Sequence, residues 1–153
     1  MVKTGDGEIA PPKDKLRIGE AVADVSLTDQ AGRTVRLSDL RGKVVAVNFI
    51  YTRCPLPDYC PLQMANFATL REKLGSDVTL LTITFDPRYD TAEVMARYGA
   101  NWGADGNGWK LLTGTPAEIE QVTEAFGIEF WPEEGLITHS LQTAVIDREG
   151  RLL

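Results

Sequence analysis

Two stretches of this chain constrain its fold more than any others: residues 43–50 (KVVAVNFI) and 78–85 (VTLLTITF) are nearly unbroken runs of apolar and β-branched side chains. A strand with one wet face alternates apolar with polar residues, whereas runs of this kind belong to strands covered on both faces. Between them Leu62, Met64, Phe67, Leu70 and Leu74 fall mostly at helical spacing, with Pro61 suited to a first helical position and Gly75 to a terminus. Strand, helix and strand form a βαβ unit, whose crossover is right-handed.

The flanking segments extend this unit. Residues 25–37 read as a β-hairpin around Asp29, Gln30, Ala31 and Gly32, and residues 38–42 as a turn or short helix. Residues 90–98 have a helical pattern that Gly99 is expected to end, followed by a Gly/Asn/Asp-rich loop to Gly108 and a short strand at 109–112. Thr115, Pro116 and Glu118 combine an N-cap, a proline at N1 and an acid at N3, predicting a helix to about Phe126, before Gly127. Residues 141–146 form a strand, and residues 147–150 turn the chain back as an antiparallel hairpin.

These elements add up to an α/β sheet of the thioredoxin kind with an N-terminal β-hairpin. Because the chain stops as its last strand begins, the final helix of such domains is expected to be missing, leaving one sheet face under-covered. Residues 1–19 read as a flexible tail and residues 20–153 as a single domain. A chain of about 150 residues can bury some 70% of its unfolded surface without disulfide or metal staples.

Charge excludes one class of partner. Twenty-two acidic against sixteen basic residues give a net charge of −6, and the basic side chains are scattered, so no nucleic-acid footprint is present. No window reaches the roughly 18 apolar residues of a membrane helix, and the polar N-terminus lacks a signal-peptide core. An exported or anchored protein would carry its targeting segment further upstream.

The chemistry concentrates in one loop. The only cysteines, Cys54 and Cys60, lie in YTRCPLPDYCP, after a buried strand and before a helix. Ligands of open α/β sheets bind at the carboxyl ends of strands, and a helix N-terminus favours thiolate, the form that attacks disulfides or binds metal. On one continuous helix residues six apart would sit about 9 Å apart along the axis, on different faces. Pro55, Pro57 and Pro61 instead predict a loop that folds back, with Cys60 near the helix N-cap. Such a loop suits either a disulfide or a bridging ion. Buried structural cysteines are the bland reading, and a purely structural disulfide would need an oxidising compartment.

The single histidine, His139, precedes the strand at 141–146. In a thioredoxin-like topology the loop entering that strand lies beside the cysteine loop, which brings an imidazole towards two thiolates. Soft thiolates favour Cu(I), and the added imidazole admits Cu(II). A structural zinc site normally takes four protein ligands, for which only carboxylates such as Asp58 or Asp86 remain.

Four segments, GKVVAVNFIYTRCP, LTITFDPRYDT, GWKLLTGT and THSLQTAVIDREGRL, together resemble the Sco (SenC) family of thioredoxin-like copper proteins, over residues 37–153. The resemblance implies a metallochaperone role in assembling the dinuclear copper centre of cytochrome c oxidase, with Cys54, Cys60 and His139 as ligands of Cu(I) or Cu(II). It implies an oxidase subunit or another copper protein as recipient, a thiol-disulfide reductase as a further partner, and a periplasmic or outer inner-membrane face with an anchor upstream. Asp86, in Phe85-Asp86-Pro87, is a candidate for tuning the site from beside it, although Asp-Pro after a strand is also a plain turn. One departure stands out: five residues separate the cysteines where the family usually has three.

The alternative function is a thiol-disulfide oxidoreductase, which needs both cysteines but not His139. A thioredoxin or TlpA-like reductase would carry Cys-x-x-Cys and a proline before the third core strand. A peroxiredoxin would carry proline and threonine or serine where Val47 and Tyr51 stand.

Overall fold

In the computed structural model, which describes residues 2–3, 9–10, 17–54, 59–74, 77–127, 130–133, 136–139 and 143–153, the two apolar runs lie side by side. They are β5 (Val44–Ile50) and β6 (Val78–Thr84), parallel and in register from Val44 opposite Val78 to Ile50 opposite Thr84. Both are buried almost throughout, as their composition requires.

The chain first forms a small antiparallel pair, β1 (Val2–Lys3) with β2 (Ile9–Ala10), and then the hairpin β3 (Ser26–Asp29) and β4 (Thr34–Arg36). The hairpin turn is built by Asp29, whose Oδ1 accepts from the N–H groups of Ala31 and Arg33 at 2.9 Å each. Gly32 supplies the positive φ of 81° there. A 3-10 turn at Leu37–Leu40 leads into β5.

After β5 come α1 (Cys60–Lys73), β6, α2 (Ala92–Ala100), β7 (Trp109–Thr113) and α3 (Pro116–Phe126). The chain continues through an antiparallel pair, β8 (Phe130–Glu133) with β9 (Leu136–His139), to β10 (Thr143–Ile146). The main sheet has the order β10-β5-β6-β7-β3-β4. Its three central strands are parallel, and β10 and β3 join them antiparallel.

Helices cover both faces. On one face α1 and α2 pack over Trp109 and Leu111: Phe67 of α1 meets the Trp109 ring edge-on at 6.1 Å, and Gly99 of α2 lies against Leu111. On the other, Phe126 of α3 meets Phe49 with ring centroids 5.7 Å apart. This is the thioredoxin-like α/β arrangement that the sequence predicts.

Most predicted boundaries hold to within two residues, but one glycine has a different task from the one expected. Gly99 does not end α2, which runs on to Ala100. A Cβ at this glycine would meet the Ala104 carbonyl oxygen at 3.0 Å and Leu111 Cδ2 at 3.1 Å, so the residue serves close packing of the helix on β7. The start of α2 also shifts, since Thr91 is its N-cap and accepts from the Val94 N–H at 3.3 Å. Asp90 is thereby released from the helix. By contrast α3 follows its signals closely: Thr115 and Glu118 form the reciprocal capping box, and Gly127 closes the helix with φ 68°. The expected helix stop at Gly75 and the first two residues of the last predicted strand, Leu141 and Gln142, lie outside the described residues. The closing hairpin is shorter than expected, reduced to a single bridge of Leu152 to Ile146, while Arg151 bridges instead to Ala21.

Candidate thiol and metal site

The site grows out of the carboxyl ends of β5, β6 and β7. Beyond Ile50 the chain makes a tight turn in which the Cys54 N–H donates to the Tyr51 carbonyl at 3.2 Å. Tyr51 is buried, with its ring 5.3 Å from that of Phe85 just past β6. Cys60 is the first residue of α1, directly after the N-cap Tyr59, and Pro61 occupies the opening turn. The two cysteines are therefore neighbours, Cys54 just past the end of β5 and Cys60 at the N-terminus of α1, and the expected fold-back loop between them falls on residues 55–58. Pro55, Pro57 and Asp58 lie outside the described residues.

Cys54 is half-buried and Cys60 fully buried, and the Cys60 side chain is hydrogen-bonded to Cys54. Burial pushes the Cys60 thiol well above its ordinary range, and the neighbouring Cys54 and Asp90 push the same way. A backbone hydrogen bond from Tyr51 opposes the shift without reversing it. The expectation that a helix N-terminus would favour thiolate thus meets a stronger effect at Cys60, since a charge without solvent costs more than the partial charges of one helix end return. The Tyr98 phenol is also raised, first by burial and then by the adjacent Cys60 and Cys54, while a hydrogen bond with Trp102 acts against the shift.

Two carboxylates fasten the residues just ahead of Cys54. Asp86 Oδ2 accepts from Arg53 Nη2 at 2.8 Å, and the Arg53 guanidinium also stacks on Tyr89, 4.2 Å from the ring centroid. Asp86 is thereby joined to Arg53, the residue before Cys54. Asp90 went unread in the sequence as anything but a helix start. It is fully buried, and its carboxylate accepts from the Thr52 N–H at 3.1 Å, from the Thr52 hydroxyl, and from Thr84 Oγ1 at 2.6 Å. A usable signal was present: Thr91 already supplies the N-cap, which leaves the preceding acid without a helical task.

His139 ends β9, opposite Phe130, and its side chain lies outside the described residues. Four residues later β10 begins at Thr143, opposite Asn48 near the carboxyl end of β5. Among the described residues no group of three or more His, Cys, Asp or Glu side chains is gathered to hold a metal. The described donor set is the cysteine pair.

A thioredoxin-like sheet bearing a cysteine pair at the end of its first central strand defines a class of thiol and metal-handling domains. Within that class the chain belongs to the SCO1/SenC family, whose model matches residues 15–153. It is 32% identical over 157 residues to the SCO2-like protein RT0576 of Rickettsia typhi, covering 96% of this chain and 73% of that one. Among solved structures it is similar to copper-bound ScoI of Bradyrhizobium japonicum, at 30% identity and a TM-score of 0.74, covering 90% of this chain and 87% of that chain. It is also similar to BsSco, described as having a disulfide switch and as a member of the Sco family of cytochrome c oxidase assembly proteins, at 25% identity and a TM-score of 0.76, covering 90% and 84% of the two chains.

Proposed function

We propose that this chain is a copper metallochaperone that holds the ion through Cys54, Cys60 and His139 and passes it to the dinuclear copper centre of cytochrome c oxidase. The observation that carries this reading is the direct contact of two thiols, one fully buried, at the carboxyl end of the parallel sheet. Two sulfurs so placed suit a soft monovalent cation, and copper-bound ScoI is a near structural relative. Binding Cu(I) to both as thiolates releases two protons, and the cation offsets one of the two thiolate charges that the buried setting of Cys60 makes costly.

His139 is supported as the third ligand by connectivity. Four residues reach at most about 14 Å, so His139 is tied to the start of β10 at the sheet end where β5 leads to the cysteines. An imidazole added to two sulfurs widens the site to Cu(II). The copper is cargo, handed on by ligand exchange to an oxidase subunit. The domain works at the periplasmic or outer face of the inner membrane. No described helix is long and apolar enough to cross a membrane.

The contact between the thiols also favours a second reading, a thiol-disulfide oxidoreductase acting on the cysteines of the same partner. Here the Cys54 thiolate attacks a partner disulfide and expels one partner thiolate; Cys60 sulfur, after losing its proton, then displaces the second. The domain ends as the disulfide, the partner as the dithiol, and a separate thiol reductase restores the domain.

Anaerobic Cu(I) competition titrations of wild type, Cys54→Ser, Cys60→Ser and His139→Ala, run beside a disulfide-reduction assay, separate the two. Tight binding lost in either serine variant, with Cu(II) binding weakened in His139→Ala, is the expected result. No tight binding by fully reduced wild type would sink the carrier reading. If His139→Ala binds both copper states like wild type, the three-ligand site is wrong.

A further inference from the structure

We propose that Asp90 is the positioning residue that fixes Cys54, and that it thereby holds the cysteine pair in its dithiol arrangement. The inference rests on reading Cys54 and Cys60 as the reactive pair.

A buried carboxylate is expensive unless it is fully occupied by donors. At Asp90 the donors come from the cysteine loop and from the sheet. Thr52, two residues before Cys54, supplies both its N–H and its hydroxyl, and Thr84 at the end of β6 supplies a third bond at 2.6 Å. The backbone of the same residue is engaged as well: its carbonyl accepts from Thr113 Oγ1 at the end of β7, at 2.6 Å. Thr84 Oγ1 in turn accepts from the Asp86 N–H at 3.0 Å. One residue thus links the strand ends of β5 and β6, through its carboxylate, with that of β7, through its carbonyl, beneath the turn that presents Cys54.

Nothing in α2 accounts for this arrangement, because Thr91 performs the capping. The outer fastening, Arg53 on Asp86, is solvent-exposed on the arginine side and is worth little to rigidity. Asp90, buried and triply bonded on its carboxylate, is the fixed point. Disulfide formation brings the two sulfurs, held as thiols here, to a bond length of about 2 Å, and the residues before Cys54 must follow. Holding Thr52 opposes that movement.

The test is the equilibrium of the pair with dithiothreitol. Oxidised dithiothreitol takes two electrons and two protons as the Cys54 and Cys60 thiols form one S–S bond. Wild type, Asp90→Ala, Thr52→Val and Thr52→Ser are compared, with near-ultraviolet circular dichroism confirming the fold. Asp90→Ala is expected to shift the equilibrium at least tenfold towards the disulfide, about 30 mV for a two-electron couple. Thr52→Val should shift it in the same direction by less, and Thr52→Ser should match wild type. If Asp90→Ala does not fold, Thr52→Val against Thr52→Ser decides the question. An unchanged equilibrium in folded Asp90→Ala, or a Thr52→Ser shift as large as that of Thr52→Val, overturns the inference. Loss of Cu(I) binding in reduced wild type would overturn the copper reading alone and leave this series to decide the role of Asp90.

Discussion

Replacing Thr82 by valine removes one hydroxyl from the interior and leaves the shape of the side chain nearly unchanged. Thr82 and Trp109 are both fully buried, and the Trp109 indole N–H donates to Thr82 Oγ1 at 3.0 Å. The hydroxyl's other contact, to Met64 Sδ at 3.8 Å, is weak. In Thr82→Val the indole N–H has lost its acceptor with no water to replace it. An orphaned buried donor costs about 1–3 kcal/mol, and the added methyl returns a fraction of that. The net expectation is a loss of about 1–2 kcal/mol, or a fall in Tm of roughly 2–8 °C for a domain of this size. Urea unfolding at pH 7, followed by tryptophan fluorescence and far-ultraviolet circular dichroism, measures it. The control is the double-mutant cycle with Trp109→Phe, which removes the donor. Trp109→Phe should cost about 1 kcal/mol less in the Thr82→Val background than in wild type. A Thr82→Val stability within about 0.5 kcal/mol of wild type, or a cycle with no coupling, would refute the account of this core hydrogen bond.

Three further outcomes follow from the same structure. In native reduced protein at pH 8, iodoacetamide should alkylate half-buried Cys54 first and fully buried Cys60 on the order of a hundredfold more slowly, with urea abolishing the difference; equal rates by mass spectrometry would contradict the burial of Cys60. Gly127 closes α3 at φ 68°, so Gly127→Ala should lower stability by about 1–2 kcal/mol in urea, and no change would mean that the helix ends some other way. Burial, opposed by hydrogen bonds from Thr52 and Thr84, raises the Asp90 carboxyl, so the folded chain keeps a proton that the unfolded chain releases near its ordinary value of about 3.9. Stability from this group is therefore greatest at low pH and declines as pH rises above about 4; Asp90→Asn should flatten that decline, and parallel urea midpoints from pH 4 to 7 would refute it.

The central sheet was legible because burial on both faces leaves a compositional mark on β5 and β6, and α3 because capping chemistry is local to four residues. Gly99 misled because a glycine in a helical pattern has two uses, termination or close approach, and only the position of Leu111 and Ala104 distinguishes them. The cysteine pair could be read from its place between strand and helix. The burial of Cys60 could not, because it depends on how α1 lies on the sheet. Asp90 was the deepest omission. Its partners Thr52, Thr84 and Thr113 are spread over 62 positions of sequence and meet only because parallel strands bring their carboxyl ends together. Single-chain patterns carry helical and strand periodicity, but they carry no trace of a junction made by three strand ends.

Residues 19–22 are sewn to residues 150–152. Gly19 N–H donates to the Leu152 carbonyl at 2.7 Å, Leu152 N–H to Glu20 at 2.9 Å, and Val22 N–H to Gly150 at 2.8 Å. Leu152 also bridges Ile146, whose partner across the sheet is Val45, at the opening of β5. That seam therefore lies at one pole of the sheet and Cys54 at the other, separated by the seven residues of β5, or about 23 Å of strand. A tether attached ahead of Arg17 would grip the domain by the seam and leave the thiols at the outward pole, free to sweep the surroundings on a radius longer than the tether alone supplies.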